Sequence, residues 1–115
     1  MTIATTWLKA FEPNVVDNAA PETLYTVPTT PTTTKAIGFV VRYVNTTAGA
    51  VSLQSWAVPL SGSAADGNEV VMLSVPANDY IDVEYGLLKA GDFIQAQAGA
   101  ATSITAHFQA GRLIS

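Results

Sequence analysis

The sequence predicts an all-β protein, an antiparallel β-sandwich that is jelly-roll-like and has seven to eight strands. Three observations carry this. From Glu69 to Ala98 (EVVMLSVPANDYIDVEYGLLKAGDFIQAQA) apolar positions recur with a period of two, which sends alternate side chains to opposite faces of a strand. Turn-forming clusters break the chain about every 8–12 residues, the spacing of sandwiches and barrels. No segment carries a sustained helical period.

In that central stretch Val71, Leu73 and Val75 fall on one face of a first strand. Ile81, Val83 and Tyr85 alternate with Tyr80, Asp82 and Glu84 in a second, and Ile94, Ala96 and Ala98 alternate with Phe93, Gln95 and Gln97 in a third. Pro76-Ala77-Asn78-Asp79 separates the first two: proline has no N–H for the ladder, and Asn and Asp side chains cap turns. Ala90-Gly91-Asp92 separates the others, with a glycine free to take positive φ.

Taken in order, residues 1–20 read as an N-terminal arm and 21–115 as the sandwich domain. In the arm Ile3, Thr5 and Trp7 alternate, Phe11 adds an apolar anchor, and Pro13, Asn14, Asp17 and Asn18 end the pattern. Such a segment either crosses the face of its own domain or reaches a neighbour. Thr23–Val27 is a short strand closed by Pro28, and the Thr/Pro run at 29–34 is a connection rather than an element. Lys35–Val44 is the longest strand before the central stretch. Ile37, Phe39, Val41 and Tyr43 share one face and Ala36, Gly38, Val40, Arg42 and Val44 the other; with both faces largely apolar, a central position is expected. Gly38 marks a bulge or a close backbone approach. After the loop Asn45–Gly49, Val51–Val58 alternates again, with Trp56 opposite Val51 and Leu53, where it either meets another subunit or packs under a loop. In the last strand, Ser103–Ile114, Ile104, Ala106, Phe108 and Ala110 are expected to face inward, and Thr105, His107 and Gln109 outward.

Composition narrows the function classes. Charged residues make up 12% of the chain, against about 25% in an ordinary soluble domain. Mean hydropathy is +0.29. Five basic and nine acidic side chains cover thinly the roughly 6,000 Å² that a folded chain of this mass exposes. The remainder, rich in Thr, Ala, Ser and Gln, is the surface of a subunit that meets other protein. The five basic residues are scattered and the net charge is −4, so a cationic patch for nucleic acid is not expected. No run of about 18 apolar residues offers a membrane span. The aromatic residues in the arm or on outer faces, Trp7, Phe11, Trp56, Tyr80 and Phe93, are the candidate interface residues.

Catalytic chemistry has little to work with. The chain has one histidine and no cysteine. A triad or zinc site would have to use His107, which reads as outward on a regular strand. Asp82 and Glu84 share a face, yet alternating acids on a solvated strand are ordinary. Asp66, Asn68 and Glu69 flank Gly67 but lack the twelve-residue spacing of an EF-hand, and turn chemistry explains them. The expectation is a non-enzyme without metal or cofactor.

The runs LYTVP (24–28), KAIGFVVRYVNTT (35–47), VSLQSWAVP (51–59), SVPAND (74–79), LLKAGDFIQAQA (87–98) and TAHFQAGRLIS (105–115) follow one order. That order resembles the small β-sandwich virion proteins of tailed bacteriophages. The resemblance covers about residues 22–115 and rests on strand and turn punctuation; it carries over no functional residues. It implies a structural role: a capsid decoration or cement protein, often homotrimeric and bound to the major capsid protein, or a module of tail, neck or fibre. It also implies a virion location after synthesis in the host cytoplasm. The segment before residue 22 has no counterpart in this pattern.

Overall fold

The computed structural model describes residues 5–114. The strands are β1 (Thr5–Trp7), β2 (Asn14–Val15), β3 (Glu22–Thr26), β4 (Lys35–Asn45), β5 (Val51–Val58), β6 (Glu69–Val75), β7 (Tyr80–Lys89), β8 (Phe93–Ala98) and β9 (Ile104–Ile114). A 3-10 turn at Asp66–Asn68 precedes β6. No α-helix occurs among the described residues.

Two antiparallel sheets face each other. One runs β9-β4-β7, with β1 and β2 both pairing along the free side of β9; the other runs β3-β8-β5-β6. Because β1 and β2 follow one line along β9, they act as a single interrupted strand, and nine segments become eight. The pairing is then nested. The first strand pairs with the eighth (β9), β3 with β8, β4 with β7, and β5 with β6. This is one long hairpin folded over itself, and the contacts β4–β9 and β5–β8 close the roll. That order is a jelly roll, as the sequence led us to expect.

Described residues of the expected arm lie along this roll. Thr5–Trp7 pair with Arg112–Ile114, and Asn14–Val15 with Thr105–Ala106. Between them Leu8, Ala10 and Phe11 pack against the core. Unmatched ladder groups on β9 give this short segment its hydrogen bonds, and Val16, 1% exposed, plugs the end of the sandwich. Chain direction then changes sheets through Glu22, whose carboxylate accepts from Asn14 Nδ2 (2.8 Å) and the Asp17 amide (2.9 Å).

The core is aromatic at one level. Tyr25 stacks on Phe39 at 5.2 Å, and Phe108 meets Phe39 edge-on at 5.2 Å. β8 alternates as expected, with Ile94, Ala96 and Ala98 buried. Elsewhere bulges shift the alternation. Gly38 (φ +61°) and Gly86 (φ +68°) occupy the left-handed region on adjacent strands, where a side chain would be strained even though space is open. The β4 register slips on both sides here, against β7 between Ala36 and Val40 and against β9 between Ile37 and Val41. Ala36 is therefore buried with Phe39, and Ile37 moves off the core face, contrary to the alternation read from β4 alone. The same slip turns Ala110, expected inward, to solvent, and buries Gly111 under Phe39 and Phe108.

A polar cluster sits between the sheets. The Tyr43 and Tyr85 hydroxyls touch, Ser55 Oγ contacts Tyr85, and Tyr43 lies 3.3 Å from Ser55. Ser55 Oγ donates to the Gln95 carbonyl at 2.8 Å. A carbonyl only accepts, so Ser55 spends its single proton there and must accept from a tyrosine; Tyr85 is much the nearer of the two, which makes it the donor and leaves Tyr43 to donate to Tyr85. The proton order Tyr43→Tyr85→Ser55→Gln95 leaves every hydroxyl satisfied. Burial pushes the Tyr43 phenol up to about 12. Burial and the neighbouring Tyr43 hold Tyr85 well above its ordinary value.

Candidate functional site

The turns quoted for the virion-protein resemblance close the sandwich. Asn45, fully buried, donates from Nδ2 to the carbonyls of Gly49 (2.9 Å), Val75 (3.0 Å) and Pro76 (3.2 Å). Its Oδ1 accepts from the Thr47 amide (2.9 Å) and hydroxyl (2.7 Å). Asn78, at φ +53°, donates its amide to Thr47 O. The Asn-Thr-Thr loop and the Pro-Ala-Asn turn, some thirty residues apart, thus form one knot at one end of the roll. At the Ala-Gly-Asp turn the Asp92 carboxylate accepts from the amides of Lys89 (2.9 Å) and Leu60 (3.2 Å), and Val27 and Asp92 join backbones at 2.9 Å. These residues are structural fasteners, each satisfying backbone groups that a corner would leave unpaired.

The outer face of the β4-β7-β9 sheet carries the most organised surface group. Arg42 forms a two-pronged pair with Asp82, Nε to Oδ1 at 2.8 Å and Nη2 to Oδ2 at 3.0 Å. Its guanidinium lies 4.1 Å from the ring centre of Tyr80. The bond to Arg42 holds the Asp82 carboxyl below the usual carboxylate range, and the same contact raises Arg42. His107 is the cross-strand neighbour of Arg42 on β9. The group fixes a half-exposed tyrosine over a neutralised ion pair, a flat platform able to stack against a planar or sugar ring.

The candidate interface residues are not brought together. Tyr80 is exposed on the platform just described. Phe11 packs edge-on against Phe108 at 6.1 Å, and Phe93 is half-buried opposite Thr26 and Val58 on the other sheet. Trp56 is only 5% exposed although it keeps the outward phase of β5, which pairs with β8 without a break through this point, and it stands outside the core cluster. The 3-10 turn at Asp66–Asn68 lies against the same strand. The side chain of Trp7 lies outside the described residues; its backbone pairs with Arg112. In the loop considered for calcium, Asn68 Nδ2 donates to Ser63 O at 2.9 Å and Glu69 accepts from Gln54 at 3.0 Å.

Sequence reasoning missed the edge of the second sheet. On β6, Met72 is 74% exposed, Val70 42% and Leu73 41%. Leu73 keeps the core-side phase expected of it, but β6 has a neighbour on one side only and leaves it half uncovered. The signal was present: no charged residue occurs from Val70 to Asn78.

No family model matches the chain, and no curated protein is similar to it. Solved structures of infectious bursal disease virus are similar to it. One, of the Gx strain, is 13% identical with a TM-score of 0.41 and covers 98% of this chain and 31% of its own. A second, from the T13 viral particle, is 10% identical with a TM-score of 0.40, covering 98% and 30%. A third, of the VP2 subviral particle, is 11% identical with a TM-score of 0.35, covering 98% and 32%. The chain thus spans about a third of those chains.

Proposed function

We propose that the chain is a structural subunit of a virus particle, and specifically a capsid decoration (cement) protein of a tailed bacteriophage. In this reading it binds across neighbouring copies of the major capsid protein and stabilises the head. Free of the particle it associates with itself, as a homotrimer. It catalyses no reaction, uses no cofactor, and binds neither nucleic acid nor membrane. The observation that carries the reading is that the turns on which the resemblance to phage virion proteins rests, at Asn45–Thr47, Pro76–Asp79 and Ala90–Asp92, are the fasteners of a jelly roll. The thinly charged surface supports it, since a cement subunit gains affinity by covering several neighbours at once through modest contacts.

The test is to mix the purified chain with heads that lack it and sediment the particles. Co-sedimentation together with a raised temperature of head rupture is expected; a chain left in the supernatant overturns the reading. The Tyr80–Arg42–Asp82 platform favours a second reading, a tail, neck or fibre component that stacks on a receptor glycan. There, Tyr80→Ala abolishes binding to a glycan array or to cells while assembly persists.

A further inference from the structure

From the β6 edge we infer that the chain pairs with a second copy of itself, β6 against β6 about a two-fold axis, joining two four-stranded sheets into one. A strand with one neighbour leaves half of its ladder groups unpaired, and proteins normally blunt such edges with charge, proline or interruption. Three edges here are blunted. The line of β1 and β2 is interrupted around Pro13. β3 is flanked by Pro21 and Pro28, carries Glu22, and is bulged between Thr23 and Tyr25. β7 alternates Asp82 and Glu84 and ends in Lys89. β6 alone runs regularly from Val71 to Val75 against β5, with no charge along that length.

Charge decides which occupant fits. The chain carries −4, so copies repel unless they meet where acids are absent. Pairing β7 with itself about Val83 would set each Asp82 opposite the other copy's Glu84, which is destabilising. Pairing β6 with itself about Met72 sets Met72 against Met72, Val71 against Leu73, Val70 against Ser74, and Glu69 against the uncharged Val75. Glu69 is moreover held by Gln54 in its own sheet at 3.0 Å. The same register covers the core-side edge at Leu73 with an apolar residue of the other copy. A contact of this kind is isologous, so it doubles whatever it joins: a monomer becomes a dimer, and the trimer of the proposed function becomes a hexamer.

This inference rests on the self-association in that reading but fails separately from it. Light scattering behind size exclusion should give an even number of chains, and Met72→Lys should halve the mass; Met72 is 74% exposed, so the variant folds. Leu87→Lys, at the exposed β7 edge, should leave the mass unchanged. Because the chain has no cysteine, Met72→Cys supplies a second readout. Opposed residues of an antiparallel pair lie within disulfide range, so mild oxidation should give a covalent dimer where Leu87→Cys does not. A trimer that binds heads overturns the pairing and leaves the proposed function standing; a monomer that binds heads overturns the pairing and the trimer but leaves the cement role. An even assembly, sensitive to Met72→Lys, that ignores heads does the reverse. A mass unchanged by Met72→Lys, or a cross-link no better at 72 than at 87, also overturns the pairing.

Discussion

Ser55→Ala should cost far more stability than its single oxygen would imply. Ser55 is fully buried and is the only member of the hydroxyl cluster that both accepts from a tyrosine of the opposite sheet and donates to the backbone of the neighbouring strand in its own. Removing it loses the bond to Gln95 O, worth about 1 kcal/mol, and leaves one tyrosine O–H without an acceptor, a desolvation cost of about 1–3 kcal/mol. The sum is about 2–4 kcal/mol. Tyr43→Phe deletes the first donor of the chain and orphans nothing, since Tyr85 still donates to Ser55. It should cost about 0.5–1.5 kcal/mol. Urea unfolding followed by tryptophan fluorescence measures both, Trp56 being buried in the fold. With a slope of about 2 kcal/mol/M, Ser55→Ala should lower the midpoint by about 1–2 M, roughly three times the shift of Tyr43→Phe. Equal shifts, or a larger one for Tyr43→Phe, would refute the proton order.

Alkali should act through the same cluster. Both tyrosine pKa values are raised on folding, so their contribution is intact below the unfolded value of 10.0 and is lost as pH climbs toward about 12 for Tyr43. Each tyrosine should remove about 1.4 kcal/mol per pH unit in that window, and Tyr43→Phe should flatten the slope measured by urea titrations from pH 9 to 11.5. Asn45→Ala strands the Val75 and Pro76 carbonyls and should cost about 2–4 kcal/mol, read as a fall in melting temperature. Gly86→Ala meets no atom within 4 Å but forces a side chain to φ +68°; it should cost about 1–2 kcal/mol from backbone strain alone, again by thermal melting.

Much of the roll was legible because its strands are simple alternators ended by strong turn residues. β5 and β8 fall where their periodicity puts them, Val51–Val58 and Phe93–Ala98. The failures share one cause. A bulge adds a residue to one strand, and a period read along that strand cannot count residues against a neighbour. Ile37 and Ala110 were assigned faces across such slips and ended on the wrong ones. Described residues before Pro21 were hard to read because they take their hydrogen bonds from β9, far away in sequence. The hydroxyl cluster did leave a trace. Ser55 falls in phase with Val51 and Leu53, and Tyr43 and Tyr85 also occupy core-side positions, so three inward hydroxyls had to satisfy one another. The β6 edge was obscured because exposure depends on how many neighbours a strand has, and that is a property of the sheet.

The nested pairing has a mechanical consequence. Thr5 and Ile114 are opposite one another in the outermost pair, so tension applied at those two points pulls neighbouring strands away from each other at one end. The ladder there opens one bond at a time, like a zip, and the load never reaches several bonds at once as it would in shear. Beyond it β9 is still held by β4, whose Lys35 also lies opposite Ile114, so β3 and β8 come under load only after that second ladder has opened from the same end. The roll therefore yields first to a pull at Thr5 and Ile114, from the end where both of β9's ladders begin.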